Sequence, residues 1–238
     1  MSAKYSAIFL ILSASIVILA VAIWEVVGYL AILFLYAALS FLLVAIAYGG
    51  IGPAIFLKRL DGRQHPFSWI LLGPYLLLNH FAFWLSQRNN KAPPFAEAAP
   101  NLFFGRRLTS RDDHEIRAMG SVAVLDLACE FAEIRALREV EHYWSMPLLD
   151  ATAPSQEQLQ VITKWIRERL AVGPVYVHCG LGHGRSATVV LAYLLSVGGI
   201  STVSEGLKFL RSLRPAVGLN RQQLRVARQF ESSRIRGG

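Results

Sequence analysis

Long apolar runs fill the first third of the chain, and shorter apolar segments at strand or helix spacing fill the rest. Residues 7–24 form a run of 18 residues without a charge, and residues 29–48 form a second run of 20. Each run is long enough to cross a hydrocarbon core of roughly 30 Å as a helix. Residues 25–28 separate them as a turn. The pattern therefore predicts a transmembrane helical hairpin over residues 1–57.

A third apolar run, residues 67–85, is rich in aromatic side chains and is interrupted by Gly73 and Pro74. It lies in a predicted segment of residues 58–85 that begins with a basic loop (Lys58, Arg59 and Arg63). Positive residues, Arg88 and Lys91, also follow the run, so the charge rule does not choose an orientation. The run either spans the membrane or forms an interfacial or re-entrant helix kinked at Pro74. We favour the second interpretation, which keeps both basic clusters in the cytosol.

The remaining chain alternates between strand and helix patterns. Residues 86–99 are polar and contain prolines, which indicates a linker. Four short apolar runs then predict strands, at residues 102–105, 122–127, 143–149 and 175–178. Helical patterns occur at residues 155–170, 185–196, 202–213 and 220–230. This order predicts an α/β domain over residues 100–238, with a central, mostly parallel sheet flanked by helices and preceded by an all-α transmembrane segment.

Candidate chemistry is concentrated between the last predicted strand and the helix that follows it. Three glycines in five residues, Gly180, Gly182 and Gly184, occupy this turn. Such a turn lets consecutive N–H groups and the positive end of the helix dipole point into one concavity, which suits a phosphate group. Cys179 lies at its mouth, where the same field stabilises a thiolate. Arg185 can donate two hydrogen bonds to phosphate oxygens.

The motif His178-Cys179-x-x-Gly182-x-x-Arg185-Ser186 resembles the signature of cysteine-dependent phosphatases of the dual-specificity type. The resemblance covers about residues 100–232. It implies a phosphoric monoester hydrolase that forms a phosphocysteine intermediate on Cys179, without a metal ion or cofactor. It also implies that the cradle residues bind the phosphate: Gly180, Leu181, Gly182, His183, Gly184 and Arg185.

Two further residues receive catalytic roles from the same resemblance. Asp150 follows a predicted strand, 29 residues before Cys179, as the general acid does in the acid loop of the family. A carboxylate that only caps the end of the strand is the alternative. Ser186 is expected to donate a hydrogen bond to the sulfur as it departs, and a capping role at the helix start is its alternative.

The composition narrows the location and the partners. The formal net charge is +8, yet no zinc spacing, aromatic RNA-binding motif or basic recognition helix is visible, so we expect no nucleic-acid partner. Attraction to anionic lipid headgroups at a membrane surface accounts for the excess of basic over acidic residues. With only Cys129 and Cys179, a disulfide framework is not expected, and a usable thiolate needs a reducing compartment. We therefore expect an integral membrane protein with its catalytic domain on the cytosolic side.

The substrate follows from the anchor rather than from the motif. A site held near a bilayer meets lipid phosphates, such as phosphatidylglycerophosphate or a phosphoinositide, at high effective concentration. The motif and its spacing to Asp150 also resemble the phosphatidylglycerophosphate phosphatases of the mitochondrial type. A membrane-anchored protein tyrosine or dual-specificity phosphatase is the alternative, and a non-catalytic phosphate-binding module is a third hypothesis.

Overall fold

The computed structural model describes residues 2–89 and 92–237, and the predicted flanking charge Lys91 lies outside them. The described chain divides into two compact units. The first contains the residues up to Arg59 and those from Arg63 to Asn89. The second contains Leu60–Gly62 and the residues from Ala92 onward.

The first unit is helical. It contains α1 (Ser2–Ala22), α2 (Trp24–Val27), α3 (Ala31–Ile46) and α4 (Pro66–Asn89), with short 3-10 and π turns at Gly28–Leu30, Ala47–Ile51 and Gly52–Phe56. Three stretches are long and apolar enough to cross a membrane: Ala3–Ala22, Trp24–Phe56 and Pro66–Asn89. The first two correspond to the predicted hairpin.

Helix α4 continues through Pro74 because α3 provides the hydrogen bond that proline removes. Pro74 has no N–H, so the carbonyl of Ile70 loses its helical donor. The hydroxyl of Tyr36 donates to that carbonyl oxygen at 2.9 Å. Gly73 leaves room for this contact, since a Cβ there would lie 2.6 Å from the Tyr36 oxygen. The chain therefore does not turn back at Pro74 as a re-entrant segment would, and α4 is one helix of 24 residues.

The second unit is the expected α/β domain. Its elements are β1 (Phe95–Ala99), β2 (Leu102–Arg106), α5 (Asp113–Ala118), β3 (Ala123–Ala128), α6 (Arg135–Arg138), β4 (Tyr143–Leu148), α7 (Gln156–Leu170), β5 (Val175–Cys179), α8 (Arg185–Val197), α9 (Val203–Leu213) and α10 (Arg221–Gly237). The sheet order is β1-β2-β5-β3-β4, and every neighbouring pair except β1–β2 is parallel. The prediction of a mostly parallel sheet flanked by helices is confirmed.

Strand β1 lies inside the segment that the sequence pattern predicted as a linker. It pairs antiparallel with β2, with Phe95 opposite Gly105. Gly105 permits this close pairing, because a Cβ there would lie 2.3 Å from the carbonyl oxygen of Pro94. The two prolines that suggested a linker lie just before the strand, where they interrupt no ladder hydrogen bond.

Both faces of the sheet are covered. On β5, Val175 and Val177 belong to the larger hydrophobic cluster, which includes residues of α7, α8, α9 and α10. Tyr176, between them, belongs to a smaller cluster on the other face, with Met119 and Leu137. This alternation is the period-2 pattern of a strand buried on both sides. It explains why β5 has no polar face in the sequence.

Candidate active site

Four parallel strands end at one edge of the sheet, and their last residues or the loops that follow carry the candidate groups. Strand β5 ends at Cys179, and β2 ends at Arg106. Glu130 follows β3 by two residues, and Asp150 follows β4 by two residues. Parallel strands deliver their carboxyl ends to the same side, so residues far apart in sequence converge there.

Cys179 is buried, with 3% of its surface exposed. The backbone N–H of Gly182 donates to its Sγ at 3.3 Å. The hydroxyl of Ser186, in the first turn of α8, lies 3.6 Å from the same sulfur. The start of α8 therefore provides a backbone donor, a hydroxyl and the positive end of a helix dipole around the sulfur.

The turn between β5 and α8 depends on glycine where other parts of the fold approach it. Gly182 has φ +75°, and a Cβ there would lie 2.3 Å from the backbone carbon of Gly105. At Gly184 a Cβ would lie 2.8 Å from the side-chain nitrogen of Gln223. The turn is fastened further by Arg107, whose N–H donates to the carbonyl of Gly180 at 3.0 Å. Strand β2 and the start of α10 thus hold the turn in place.

Arg185 is buried, and its position is determined by contacts from two other strand ends. Its Nη1 and Nη2 donate to the two carboxylate oxygens of Glu130 at 2.9 and 2.5 Å. Nη1 also donates to the carbonyl of Leu148 at 2.9 Å. Burial alone would lower the pKa of Arg185, but the charges of Glu130 and Asp150 outweigh it and raise that pKa well above its usual value. The guanidinium therefore stays charged.

One edge of the Arg185 guanidinium remains available for a ligand. Its buried Nε has no hydrogen-bond partner among the described residues. The adjacent Nη2 lies 3.1 Å from Oδ1 of Asp150, whose side chain is 66% exposed. A buried donor without an acceptor is costly, and a phosphate oxygen would supply that acceptor.

The loop that carries Asp150 is fastened to the segment that begins α10. Ala151 has φ +55°, a left-handed conformation that costs a non-glycine residue about 1 kcal/mol. The side chain of Asn220 donates to the carbonyl of Ala151 at 2.6 Å, and that of Gln223 donates to the carbonyl of Thr152 at 2.9 Å. These two amides hold the loop in its strained conformation.

The other two predicted cradle residues differ in exposure. Leu181 is 39% exposed, whereas the His183 side chain is half-buried. Burial, followed by the nearby positive charge of Arg214, lowers the pKa of His183, and Asp150 offsets only part of this. His183 is therefore neutral at pH 7. Its carbonyl accepts a hydrogen bond from the N–H of Gly218 at 3.1 Å.

His178 belongs to a buried polar cluster next to Cys179. Its Nε2 lies 2.8 Å from a carboxylate oxygen of Glu133 and 4.0 Å from one of Asp126. Three such groups within 4.8 Å could ligate a metal ion. However, Asp126 already accepts from the Tyr143 hydroxyl at 2.7 Å and from the N–H of Ala128 at 3.0 Å. We assign the cluster to supporting the end of β5.

Comparison with known proteins identifies the domain. A model of the dual specificity phosphatase catalytic domain matches residues 102–233, which contain the whole site described above. The chain belongs to the dual-specificity phosphatase family. The match supports the class of enzyme that the signature motif predicted, a phosphoric monoester hydrolase.

Relatives of this dual-specificity phosphatase include enzymes named for lipid and for protein substrates. Phosphatidylglycerophosphate phosphatase PTPMT2 of Arabidopsis thaliana is 38% identical over 79 residues, which cover 33% of this chain and 34% of that protein. Dual specificity protein phosphatase 2 of Homo sapiens is 28% identical over 160 residues, which cover 62% of this chain and 48% of that protein. The chain therefore spans less than half the length of either relative.

Solved structures show the same fold. The crystal structure of Tk-PTP in its active form is 30% identical and has a TM-score of 0.53, covering 59% of this chain and 97% of that one. PTPMT1 in complex with PI(5)P is 20% identical with a TM-score of 0.54, covering 61% and 100% respectively. At that identity, the second comparison establishes the fold alone.

The structure adds residues to this phosphatase site that the sequence analysis did not single out. Glu130 pairs with Arg185 across 55 positions of sequence, and no local pattern marks that contact. Its place three residues after the predicted strand of residues 122–127 was the available signal, because the residues that follow parallel strands lie at one edge of the sheet. Asn220 lies at the start of a segment that the sequence analysis noted only for its helical pattern. Its role depends on a loop 69 residues away.

Gly182→Ala is expected to lower kcat/KM on a soluble aryl phosphate by about 100-fold, because the turn must shift away from the backbone of Gly105. Leu181→Ala, one residue earlier, is the matched control and should change kcat/KM only a few-fold, since that side chain is exposed. Steady-state kinetics and thermal unfolding would be measured for both variants. Near-normal activity of Gly182→Ala would show that the close approach to β2 does not define the cradle.

Proposed function

We propose that the protein is a membrane-anchored phosphatase that hydrolyses a lipid phosphate monoester through a phosphocysteine intermediate on Cys179. The observation that carries the catalytic part is the convergence of Cys179, Arg185 and Asp150 at one sheet edge. Asp150 lies 3.1 Å from the same Arg185 whose Nε lacks a partner. A nucleophile, a cationic phosphate ligand and a carboxyl group therefore lie around one position.

In the first step, the Cys179 thiolate attacks phosphorus and the bond from phosphorus to the leaving oxygen breaks. The backbone N–H groups of residues 180–185 and the Arg185 guanidinium stabilise the charge on the three equatorial oxygens. Glu130 and the Leu148 carbonyl hold the far side of the guanidinium, so its Nε edge needs no reorientation during the reaction. Preorganisation of this kind lowers the barrier.

Asp150 supplies the proton for the leaving oxygen in this mechanism. In the structure its carboxyl group contacts Nη2 of Arg185 at 3.1 Å, and Nη2 is one of the two donors that a phosphate would use. Phosphate binding displaces the carboxyl group from the guanidinium. Because Asn220 and Gln223 fasten the loop backbone beyond Asp150, the displaced group stays beside the site.

In the second step, water attacks the phosphocysteine, the S–P bond breaks, and inorganic phosphate leaves. The sulfur departs as a thiolate, and it needs a donor. Ser186, whose hydroxyl lies 3.6 Å from Sγ, and the N–H of Gly182 supply that stabilisation. Asp150, now ionised, accepts the proton of the attacking water, the reverse of its first role.

The lipid assignment rests on the helical unit and on the similarity to phosphatidylglycerophosphate phosphatase PTPMT2. Three stretches long enough to span a bilayer support an anchor that would hold the catalytic domain near lipid phosphates at high local concentration. A phosphoprotein substrate is the second candidate, because the similarity to dual specificity protein phosphatase 2 covers more of the chain.

We place the catalytic domain on the cytosolic side. Neither Cys129 nor Cys179 forms a disulfide, both are buried, and the mechanism needs the second as a thiolate. Reducing compartments preserve such a group.

Cys179→Ser is expected to bind phosphate but to lose turnover by several orders of magnitude, because a serine alkoxide does not form at neutral pH. Acid quenching of the wild type during turnover should trap a phosphoenzyme, and the variant should trap none. Cys129→Ser is the matched control, since Cys129 is the other buried cysteine. Trapped phosphate that persists in Cys179→Ser would contradict the covalent mechanism.

Asp150→Asn is expected to slow hydrolysis of alkyl phosphates far more than that of nitrophenyl phosphate, since only the poor leaving group needs a proton. The slope of log kcat/KM against leaving-group pKa would measure this difference. Asp126→Asn is the control, because that carboxylate is buried and bonded to Tyr143. An unchanged slope in Asp150→Asn would remove Asp150 from the acid role.

The substrate is tested with the full chain in mixed micelles. We expect kcat/KM for phosphatidylglycerophosphate or a phosphoinositide to exceed that for phosphotyrosine peptides, each normalised to nitrophenyl phosphate. The normalisation separates substrate choice from loss of the catalytic machinery. Efficient release of phosphate from the phosphotyrosine peptides, with no release from either lipid, would favour the phosphoprotein candidate.

A further inference from the structure

Helix α10 has a buried face and an arginine face. Gln223, Ala227 and Phe230 are buried within the catalytic domain. The opposite side carries an arginine stripe, defined here as Arg221, Arg225 and Arg228, which lie at the i, i+4 and i+7 positions of one helix face. All three are exposed, and an open groove along this face is lined by them together with Leu224, Gln229, Ser232 and Ser233.

The stripe lacks the carboxylate partners that several other exposed cations of the domain have. Arg117 pairs with Asp113, Arg135 with Glu139 and Lys164 with Glu168, each at i,i+4 spacing. Within the described residues, no ion pair joins the arginine stripe to a carboxylate.

The acidic residue of α10 does not neutralise the stripe. Helix α10 contains five arginines and one glutamate, Glu231. Glu231 accepts a hydrogen bond from the N–H of Val203, at the start of α9, at 3.3 Å. The arginine face therefore presents uncompensated positive charge over two turns.

We propose that the arginine stripe is a docking surface for a bilayer that contains anionic phospholipid. The chain itself indicates this occupant, because it carries three stretches long enough to span a membrane. Guanidinium groups carry the opposite charge to phosphate headgroups, and their planar set of donors fits the geometry of two phosphate oxygens. The inference rests on the proposed membrane anchor, but it does not depend on which phosphate the enzyme hydrolyses.

Docking at this face would also orient the catalytic domain. Arg221 directly follows Asn220, which holds the acid loop, and Gln223 packs beneath the phosphate cradle. A bilayer bound to the stripe is therefore connected through one helical turn to the residues that position Asp150.

The test uses the full chain in lipid nanodiscs made with or without phosphatidylglycerol. A bimane label on Ser232→Cys, in a Cys129→Ser, Cys179→Ser background that removes both native thiols, reports proximity to an acceptor dye on the headgroups. We expect the efficiency of energy transfer to be about two-fold higher in anionic discs than in neutral discs, because each of the three arginines is attracted to an anionic surface. The rise should disappear near 1 M salt, where the screening length is about 3 Å.

Charge-reversal variants test whether the arginine stripe is the surface that binds anionic lipid. In the Ser232→Cys background, the triple variant Arg221→Glu, Arg225→Glu, Arg228→Glu should lose the response to anionic lipid. The control is a triple variant on α7 and α9, Lys164→Glu, Arg167→Glu, Lys208→Glu. It makes the same change in net charge and should keep the response to anionic lipid. If the charge reversal fails to fold by thermal unfolding, the corresponding Arg→Gln triple replaces it and should reduce the response.

Two results would overturn the proposal. Equal energy transfer in neutral and anionic discs would show that the stripe does not bind anionic lipid, whether it serves an acidic protein, a nucleic acid or nothing. Equal loss in both triple variants would show a general charge effect rather than a docking surface. Co-elution of the full chain with neutral discs tests the anchor separately, so its failure is distinguishable from failure of the stripe.

Discussion

The buried guanidinium of Arg185 determines how the catalytic edge is assembled. Removing a cation from water costs several kcal/mol unless it is paired and its donors are satisfied. Glu130 after β3 and the carbonyl of Leu148 at the end of β4 meet that requirement from two different strands. Because β5 leads into the turn before Arg185, one side chain fixes the relative positions of three strand ends. Nε has no hydrogen-bond partner among the described residues, and we propose that a substrate phosphate binds at this edge.

The same constraint explains why Asp150 is close to Arg185 and yet mostly exposed. The carboxyl group contacts the guanidinium from outside, at 3.1 Å, while Glu130 contacts it from within the core. One carboxylate is structural and stays, and the other is accessible and can be displaced by an anion. Sequence position does not distinguish them, since each follows a parallel strand by two residues. Burial does.

The features that were predicted well from the sequence are those that depend on residues close together along the chain. The strand, glycine turn and helix around Cys179 are contiguous, so their chemistry could be inferred from spacing, and the family comparison confirmed the class of enzyme. Contacts over long separations were not accessible in this way. Examples are Glu130 with Arg185 and the Tyr36 hydroxyl that satisfies Ile70. Strand β1 was missed because two prolines suggested a linker, and only its pairing with Gly105 reveals a strand.

Tethering changes how strong a docking surface must be. Surface charges contribute little to stability and are screened by salt, so three arginines would bind a free domain to a membrane only weakly. If the helices of the first unit anchor the chain in the membrane as we propose, docking becomes an intramolecular step with a high effective concentration. A weak interaction is then sufficient to choose an orientation. Since the inner face of α10 holds the acid loop and the cradle, orientation at the outer face acts on the part of the domain that catalysis uses.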